Sequence, residues 1–308
     1  MRGLIFLIIF AVSCSQNPEY YYKRGNTFFM NGDYFKALDM YTKSILIKPN
    51  YPEALVSRAL TYEKIGNKEK AKDDYLKAIS VSSNYLPAYN NLASLLIESK
   101  LYNDALYYVD KALSINPNYY YAFYNRGLIN YYTKNYEQSV KDFSKAIEIS
   151  PKELAYYYRA LAHYKLGDLQ NALSDLEAIE KNASSDLVFY QMAKIKFENS
   201  DSSALKYITK AIEIKEDPSY YFLRARINAK SNNMENAAND INFAIKLSTM
   251  SNSTYIYYAG DIYFHLGNKD NAKKYYDMAL KVNPESENIY QEKIRKLENK
   301  DREKSGRK

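Results

Sequence analysis

Apolar positions recur along this chain at steps of three and four, in short bursts separated by turn residues. Between Pro18 and Tyr51 the sequence PEYYYKRGNTFFMNGDYFKALDMYTKSILIKPNY places Tyr21, Gly25 and Phe28 on one helical face. Asn31-Gly32-Asp33 interrupts the pattern, because glycine tolerates the positive φ that a helix terminus needs. Tyr34, Ala37, Leu38, Tyr41, Ser44 and Ile45 then resume it. Pro49 ends it, lacking an N–H and clashing with the preceding turn. The stretch predicts a helix–turn–helix unit.

The same unit starts again at Pro52, Leu86, Tyr120, Glu153, Ser185, Pro218 and Ser253, with steps of 34, 34, 34, 33, 32, 33 and 35 residues. Three places in it stay small. The eighth holds Gly25, Ala59, Ala93, Gly127, Ala160, Met192, Ala225 and Gly260; the twentieth is Ala, or Ser139; the twenty-seventh is Ala, Ser44 or Ile179. Small residues there let helices approach closely, and large apolar residues between them fill the gaps. A fixed period of this length resembles the tetratricopeptide repeat. The resemblance spans residues 18–284 and implies an all-α, right-handed helical solenoid of about eight helix–turn–helix repeats. Such an array grows by adding neighbours, so the length of 308 residues does not divide into conventional globular domains.

Repeats one to four are the most regular. Around repeats five and six, Ile179 and Met192 replace small residues, and Glu198–Ser203 replaces a Gly-Asp turn. This predicts a weaker joint between blocks 18–181 and 185–284. Residues 285–300 read as a capping helix with a thin apolar face of Ile289, Ile294 and Leu297. Residues 301–308 contain no apolar side chain and are expected to be disordered.

The N-terminus changes the picture. Met1-Arg2 is a short basic start, and Gly3–Ala11 is an apolar run too short for a bilayer, which needs about 20 apolar residues. Residues 1–13 fit a secretory signal peptide. Ala11-Val12-Ser13-Cys14 resembles a bacterial lipobox, with Ala11 where leucine is usual. The resemblance implies lipid on Cys14, the single cysteine, and residues 14–17 as a short tether. A lipid anchor to the membrane of a bacterial cell envelope, on its periplasmic or surface face, is therefore expected.

Composition excludes several functions. The net charge is +7, and eight basic residues against four acidic ones fall between Gln291 and Lys308, with no basic stripe elsewhere. A nucleic-acid partner is not expected. His163 and His265 are the two histidines and lie in different repeats, so no metal site is expected. Neither a phosphate-binding glycine loop nor a nucleophile motif occurs, so the chain reads as a non-enzyme without cofactor.

Arginine recurs at the seventh place, with aspartate sixteen residues later: Arg58/Asp74, Arg126/Asp142, Arg159/Asp175 and Arg224/Asp240. This predicts ion pairs between paired helices. The sequence has 35 Tyr, 12 Phe and no Trp. Family resemblance implies that the first helices line a concave groove. Carried over, the groove in repeats four to six would hold Tyr121, Tyr124, Tyr131, Tyr157, Tyr158, Tyr164, Phe189 and Tyr190. Tyrosine offers large area, a polar tip and little rotamer entropy to lose. The carboxylate clamp of some family members is absent: Asn26 fits one of its places, but Tyr22, Ser57, Pro87 and Asn91 occupy the others. The expected function is a membrane-anchored scaffold binding another protein or peptide. A cell-wall glycan or lipid-surface binding module is the alternative, and self-association through end repeats stays open.

Overall fold

The computed structural model describes the backbone of residues 17–305 and the side chains of residues 17–298. The signal peptide, Cys14 and residues 306–308 lie outside the described residues. Among the described residues there are seventeen α-helices and no strand. The chain forms two compact units that meet in sequence at Gly167/Asp168. The N-terminal unit contains α1 (Pro18–Met30), α2 (Tyr34–Ile47), α3 (Pro52–Lys64), α4 (Lys68–Val81), α5 (Leu86–Glu98), α6 (Tyr102–Ile115), α7 (Tyr120–Tyr132), α8 (Tyr136–Ile149) and α9 (Glu153–Lys165). The C-terminal unit contains α10 (Leu169–Glu180), α11 (Asp186–Glu198), α12 (Ala204–Ile214), α13 (Pro218–Lys230), α14 (Met234–Leu247), α15 (Ser253–His265), α16 (Lys269–Val282), a 3-10 turn at Pro284–Ser286 and α17 (Glu287–Ser305). Within each unit a helix packs mainly on its neighbours in sequence. The division falls inside repeat five, one helix earlier than the irregular sequence suggested: α9 packs on α8, and α10 packs on α11.

Local chemistry sets the helix ends. Proline opens α1, α3, α5 and α13, where its missing N–H would have had no partner. Asn17 and Asp217 cap α1 and α13, accepting from the N–H groups of Glu19 at 2.8 Å and Ser219 at 2.9 Å. The turn after a first helix places one residue in the left-handed region. Gly32, Gly66, Gly167 and Gly267 take it at φ 79°, 81°, 80° and 76°. Lys100, Lys134, Ser200 and Asn232 take it at 60°, 66°, 59° and 60°. The glycine-free segment 198–203 therefore makes the same turn as the others, because helix packing on both sides outweighs the small cost of a side chain there.

The core follows from the small positions. The eighth, twentieth and twenty-seventh places are buried throughout, including Met192 and Ile179. Across each of three helix pairs a glycine faces an aromatic ring. A Cβ on Gly25 would lie 2.5 Å from Tyr41, one on Gly127 2.8 Å from Phe143, and one on Gly260 2.3 Å from Tyr276. Where the eighth place is alanine, the residue sixteen places on is Tyr75, Val109, Leu176 or Ile241, each buried. Ring hydroxyls find partners on the first helix: Tyr41 donates to Asn26 at 2.7 Å and Tyr276 to Asp261 at 2.8 Å. Ser139, standing at a core alanine place, donates to the Gly127 carbonyl at 2.9 Å, so the buried hydroxyl is satisfied.

Three of the arginine–aspartate pairs form within the units. Arg58 donates Nε and Nη2 to Asp74 at 2.7 Å each. Arg126 donates to Asp142 at 3.0 and 2.8 Å, and Arg224 reaches Asp240 at 2.6 Å. Two asparagines that the sequence reading missed complete the sites: Asn130 donates to Asp142 at 2.8 Å and Asn228 to Asp240 at 2.9 Å. Each lies four residues after its arginine, one turn along the same face. Arg159 stands on α9 in the N-terminal unit, where it donates to Ser144 at 2.9 Å, and Asp175 stands on α10 in the C-terminal unit.

The C-terminal helix differs from expectation at both ends. It begins at Glu287 after the 3-10 turn and continues to Ser305, through residues expected to be disordered. No glycine or proline interrupts it, and glutamate, lysine and arginine are good helix formers. Ile289 is exposed; Tyr290 joins Ile294 and Leu297 against the unit, its hydroxyl donating to Asp277 at 2.8 Å.

Candidate functional site: a tyrosine-lined cavity on the first helices

Repeats three to five bring their first helices, α5, α7 and α9, side by side. The rings come mainly from α7 and α9, whose sequences hold Tyr121, Tyr124, Tyr131 and Tyr132, and Tyr156, Tyr157, Tyr158 and Tyr164, whereas α5 contributes Ser94, Ile97 and Glu98. Between them opens a cavity of about 430 Å³, with Tyr102, Tyr124, Tyr132 and Tyr158 around Ile97 and Leu128. Its size falls in the ~300–1,000 Å³ range of ligand sites. Tyr102 and Tyr132 stack at 6.0 Å on one wall. Tyr124 meets Tyr158 edge-on at 6.1 Å, and Tyr158 stacks on Phe143 at 5.9 Å. Beside the rings Asn125 donates to the Asn90 side chain at 2.9 Å.

Tyr124 and Tyr158, of the nominated residues, line this cavity directly. Tyr131 packs edge-on against Tyr158 at 6.1 Å and Tyr157 does so at 5.5 Å, so both support the wall. Tyr121 is exposed on α7, and its hydroxyl accepts from Lys152 at 3.0 Å. Tyr164 is half-buried on α9. In the C-terminal unit, Tyr190 stacks on Tyr220 at 4.8 Å. Phe189 corrects the expectation: it is 0% exposed, with the Lys210 ammonium 3.9 Å from its ring centre. A large ring without a polar tip gains more from enclosure than from facing solvent. Val56 and Tyr257, at the same place of their repeats, are buried too.

Sequence reasoning missed Tyr102. Tyr102 opens a second helix, a place where Tyr34 and Tyr136 also stand, and that recurrence was the available signal. Tyr124 and Tyr158 stay protonated at physiological pH. Burial, followed by the neighbouring phenols, pushes Tyr124 and Tyr158 well above the ordinary tyrosine value, and Tyr120 rises to about 12. The site thus offers aromatic faces and hydroxyl tips, with Glu98 and Lys100 as one charge of each sign in its lining. Among the described residues no cluster of three or more His, Cys, Asp or Glu could hold a metal ion, and no helix is long and apolar enough to cross a membrane.

Tetratricopeptide repeat models match residues 18–51, 52–85, 86–119, 120–153, 154–185 and 253–286. A search of curated proteins finds none that matches. Among solved structures the chain is similar to a tetratricopeptide repeat protein from Parabacteroides merdae ATCC 43184, at 21% identity and a TM-score of 0.58, over 85% of this chain and 98% of that one. It is similar to a chain of the APC/C hetero-tetramer Cut9–Hcn1 at 14% identity and a TM-score of 0.62, over 92% of this chain and 56% of that one. It also resembles Pseudomonas aeruginosa pilF, at 19% identity and a TM-score of 0.58, over 64% and 91% of the two chains. At these identities the structures speak to fold alone. The tandem helix pairs, their small-residue core and the matched segments together show that the chain belongs to the tetratricopeptide repeat family, whose arrays serve as scaffolds for binding other proteins.

Proposed function

We propose that this protein is a lipid-anchored scaffold of the bacterial cell envelope that holds a partner protein against the tyrosine-rich first-helix face of its N-terminal unit. The observation that carries the proposal is the cavity of about 430 Å³ walled by four tyrosines over Ile97 and Leu128. Rings with wet hydroxyl tips and an apolar floor suit an extended peptide that inserts an aliphatic or aromatic side chain. The anchor is Cys14, separated from Pro18 by Ser15, Gln16 and Asn17 alone. At about 3.3–3.6 Å per extended residue that tether is short, so the first repeat would ride close to the bilayer. Exposure in that repeat supports the reading. Met30, Phe35 and Leu46 are 82%, 78% and 75% exposed, the highest values for large apolar side chains among the described residues.

Photo-crosslinking in living cells tests the partner. A crosslinking residue at Tyr157 is expected to yield a discrete protein adduct, and one at Tyr107, exposed on the second helix α6, is not. Equal labelling from both positions, or label recovered on glycan or lipid instead of protein, would overturn the peptide reading. Cys14→Ser tests the anchor separately and should move the protein from the membrane fraction to the soluble one.

A further inference from the structure

The C-terminal unit has a second cavity, of about 590 Å³, with a different chemistry. Arg226 and Lys230 reach it from α13, and Lys293 and Lys296 reach it from α17. Asp261, on α15, is the one carboxylate in the lining. That carboxylate is already engaged, accepting from Lys293 at 2.6 Å on both oxygens and from the Tyr276 hydroxyl at 2.8 Å. Lys296 pairs at 2.6 Å with Glu292, outside the lining. Arg226 and Lys230 meet rings and a hydroxyl instead of a carboxylate. The Arg226 guanidinium lies 5.0 Å from the Phe197 ring centre, and Lys230 lies 5.1 Å from the same ring and donates to Ser200 at 2.8 Å. Charge in this cavity is therefore in excess and held over an aromatic floor.

We infer that this cavity binds an acidic peptide segment, with carboxylates engaging Arg226 and Lys230 on one side of α15 and the α17 lysines on the other. Cations set on two helices flanking a third favour a chain carrying more than one carboxylate over a single compact anion. Guanidinium and carboxylate pair bidentately, and charge-assisted hydrogen bonds are about twice as strong as neutral ones. Phe197, Tyr258 and Phe264 give the apolar residues between those carboxylates a surface to lie on. The inference rests on the scaffold reading only in taking a peptide as the ligand; its site, residues and chemistry are separate from the tyrosine cavity.

The test is fluorescence anisotropy on the purified full-length protein with three labelled probes: Glu-Phe-Glu-Phe-Glu, its Gln-for-Glu counterpart and its Lys-for-Glu counterpart. The acidic probe is expected to bind at least about tenfold tighter than the Gln probe, and the Lys probe least. Arg226→Gln with Lys230→Gln should remove about tenfold or more of that affinity. Both side chains are exposed, so the melting temperature should not move. Tyr124→Ala should leave acidic-probe binding intact, which separates failure here from failure of the tyrosine-cavity reading. Equal binding of acidic and Gln probes would overturn the proposal, as would unchanged affinity in the double variant. Capture of phosphatidylglycerol vesicles through Arg226 and Lys230 without peptide binding would also overturn it.

Discussion

The two cavities occupy the same places in the repeat and differ in what fills them. Ser94, Ile97, Glu98 and Tyr102 line the N-terminal cavity from repeat three; Arg226, Ala229, Lys230 and Met234 hold the corresponding places of repeat seven in the C-terminal one. On the following first helix, Leu128 and Tyr132 correspond to Asp261 and His265. The helix-pair frame thus decides where a cavity opens, and a few outward side chains decide what it attracts. Beneath both surfaces the frame is alike: Gly127 under Phe143 and Arg126 on Asp142 in one unit, Gly260 under Tyr276 and Arg224 on Asp240 in the other. Frame and surface should therefore respond differently to change.

The largest expected effect separates the units by pH. Burial raises seven phenols far in the N-terminal unit, those of Tyr41, Tyr75, Tyr85, Tyr119, Tyr120, Tyr124 and Tyr158, against Tyr276 and Tyr290 in the C-terminal unit, where the bond to Asp277 leads for Tyr290. Below the unfolded phenol value of about 10, both states keep the proton and stability is full. Above it the unfolded chain releases protons that the folded chain retains, so stability falls as pH rises toward about 12, where Tyr41 and Tyr120 titrate. The chain has no Trp, so Tyr121→Trp and Phe243→Trp give one reporter per unit. The N-terminal reporter should change first; coincident transitions, or the reverse order, would break the comparison.

Next come the shared ion pairs. Asp142→Ala leaves Arg126 and Asn130 without their carboxylate and should cost about 3–5 kcal/mol, and Asp240→Ala about as much. Adding Arg126→Leu to Asp142→Ala should recover part of that loss in urea unfolding, and an equal or greater loss in the double variant counts against the paired frame. Gly127→Ala and Gly260→Ala follow, at about 1–3 kcal/mol each, because the new Cβ meets an enclosed ring. An exposed helical glycine would instead gain roughly 0.5–1 kcal/mol from alanine, so the sign of the change in melting temperature reads the packing directly. Smallest is Lys134→Gly, which should stabilise by about 0.5–1 kcal/mol by relieving a left-handed lysine, measured as an upward shift in melting temperature.

Much of this was legible in the sequence, and the reasons differ by residue. The helix pairs were readable because Ala37, Ala71 and Ala105 recur at one spacing and every one is enclosed. Arginine with aspartate sixteen residues later was readable because both members are written in the chain. Asn130 and Asn228 were missed because a single polar residue on a helix face carries no pattern until its partner is known. Phe189 was misplaced because the fifth place of the repeat can face solvent or a neighbouring helix, and residue type alone does not choose.

By itself the sequence determined the period, the helix–turn–helix unit and the small-residue core. Those follow from interactions within one repeat or between consecutive ones, and so from spacing along the chain. Tertiary structure decided which rings wall a cavity and which are enclosed, and where the chain divides into units. It also decided that α17 runs on to Ser305 and sets Lys293 against Asp261. These outcomes depend on which helices lie side by side and how large the facing residues are, and neither is set by the spacing of residues in a single segment.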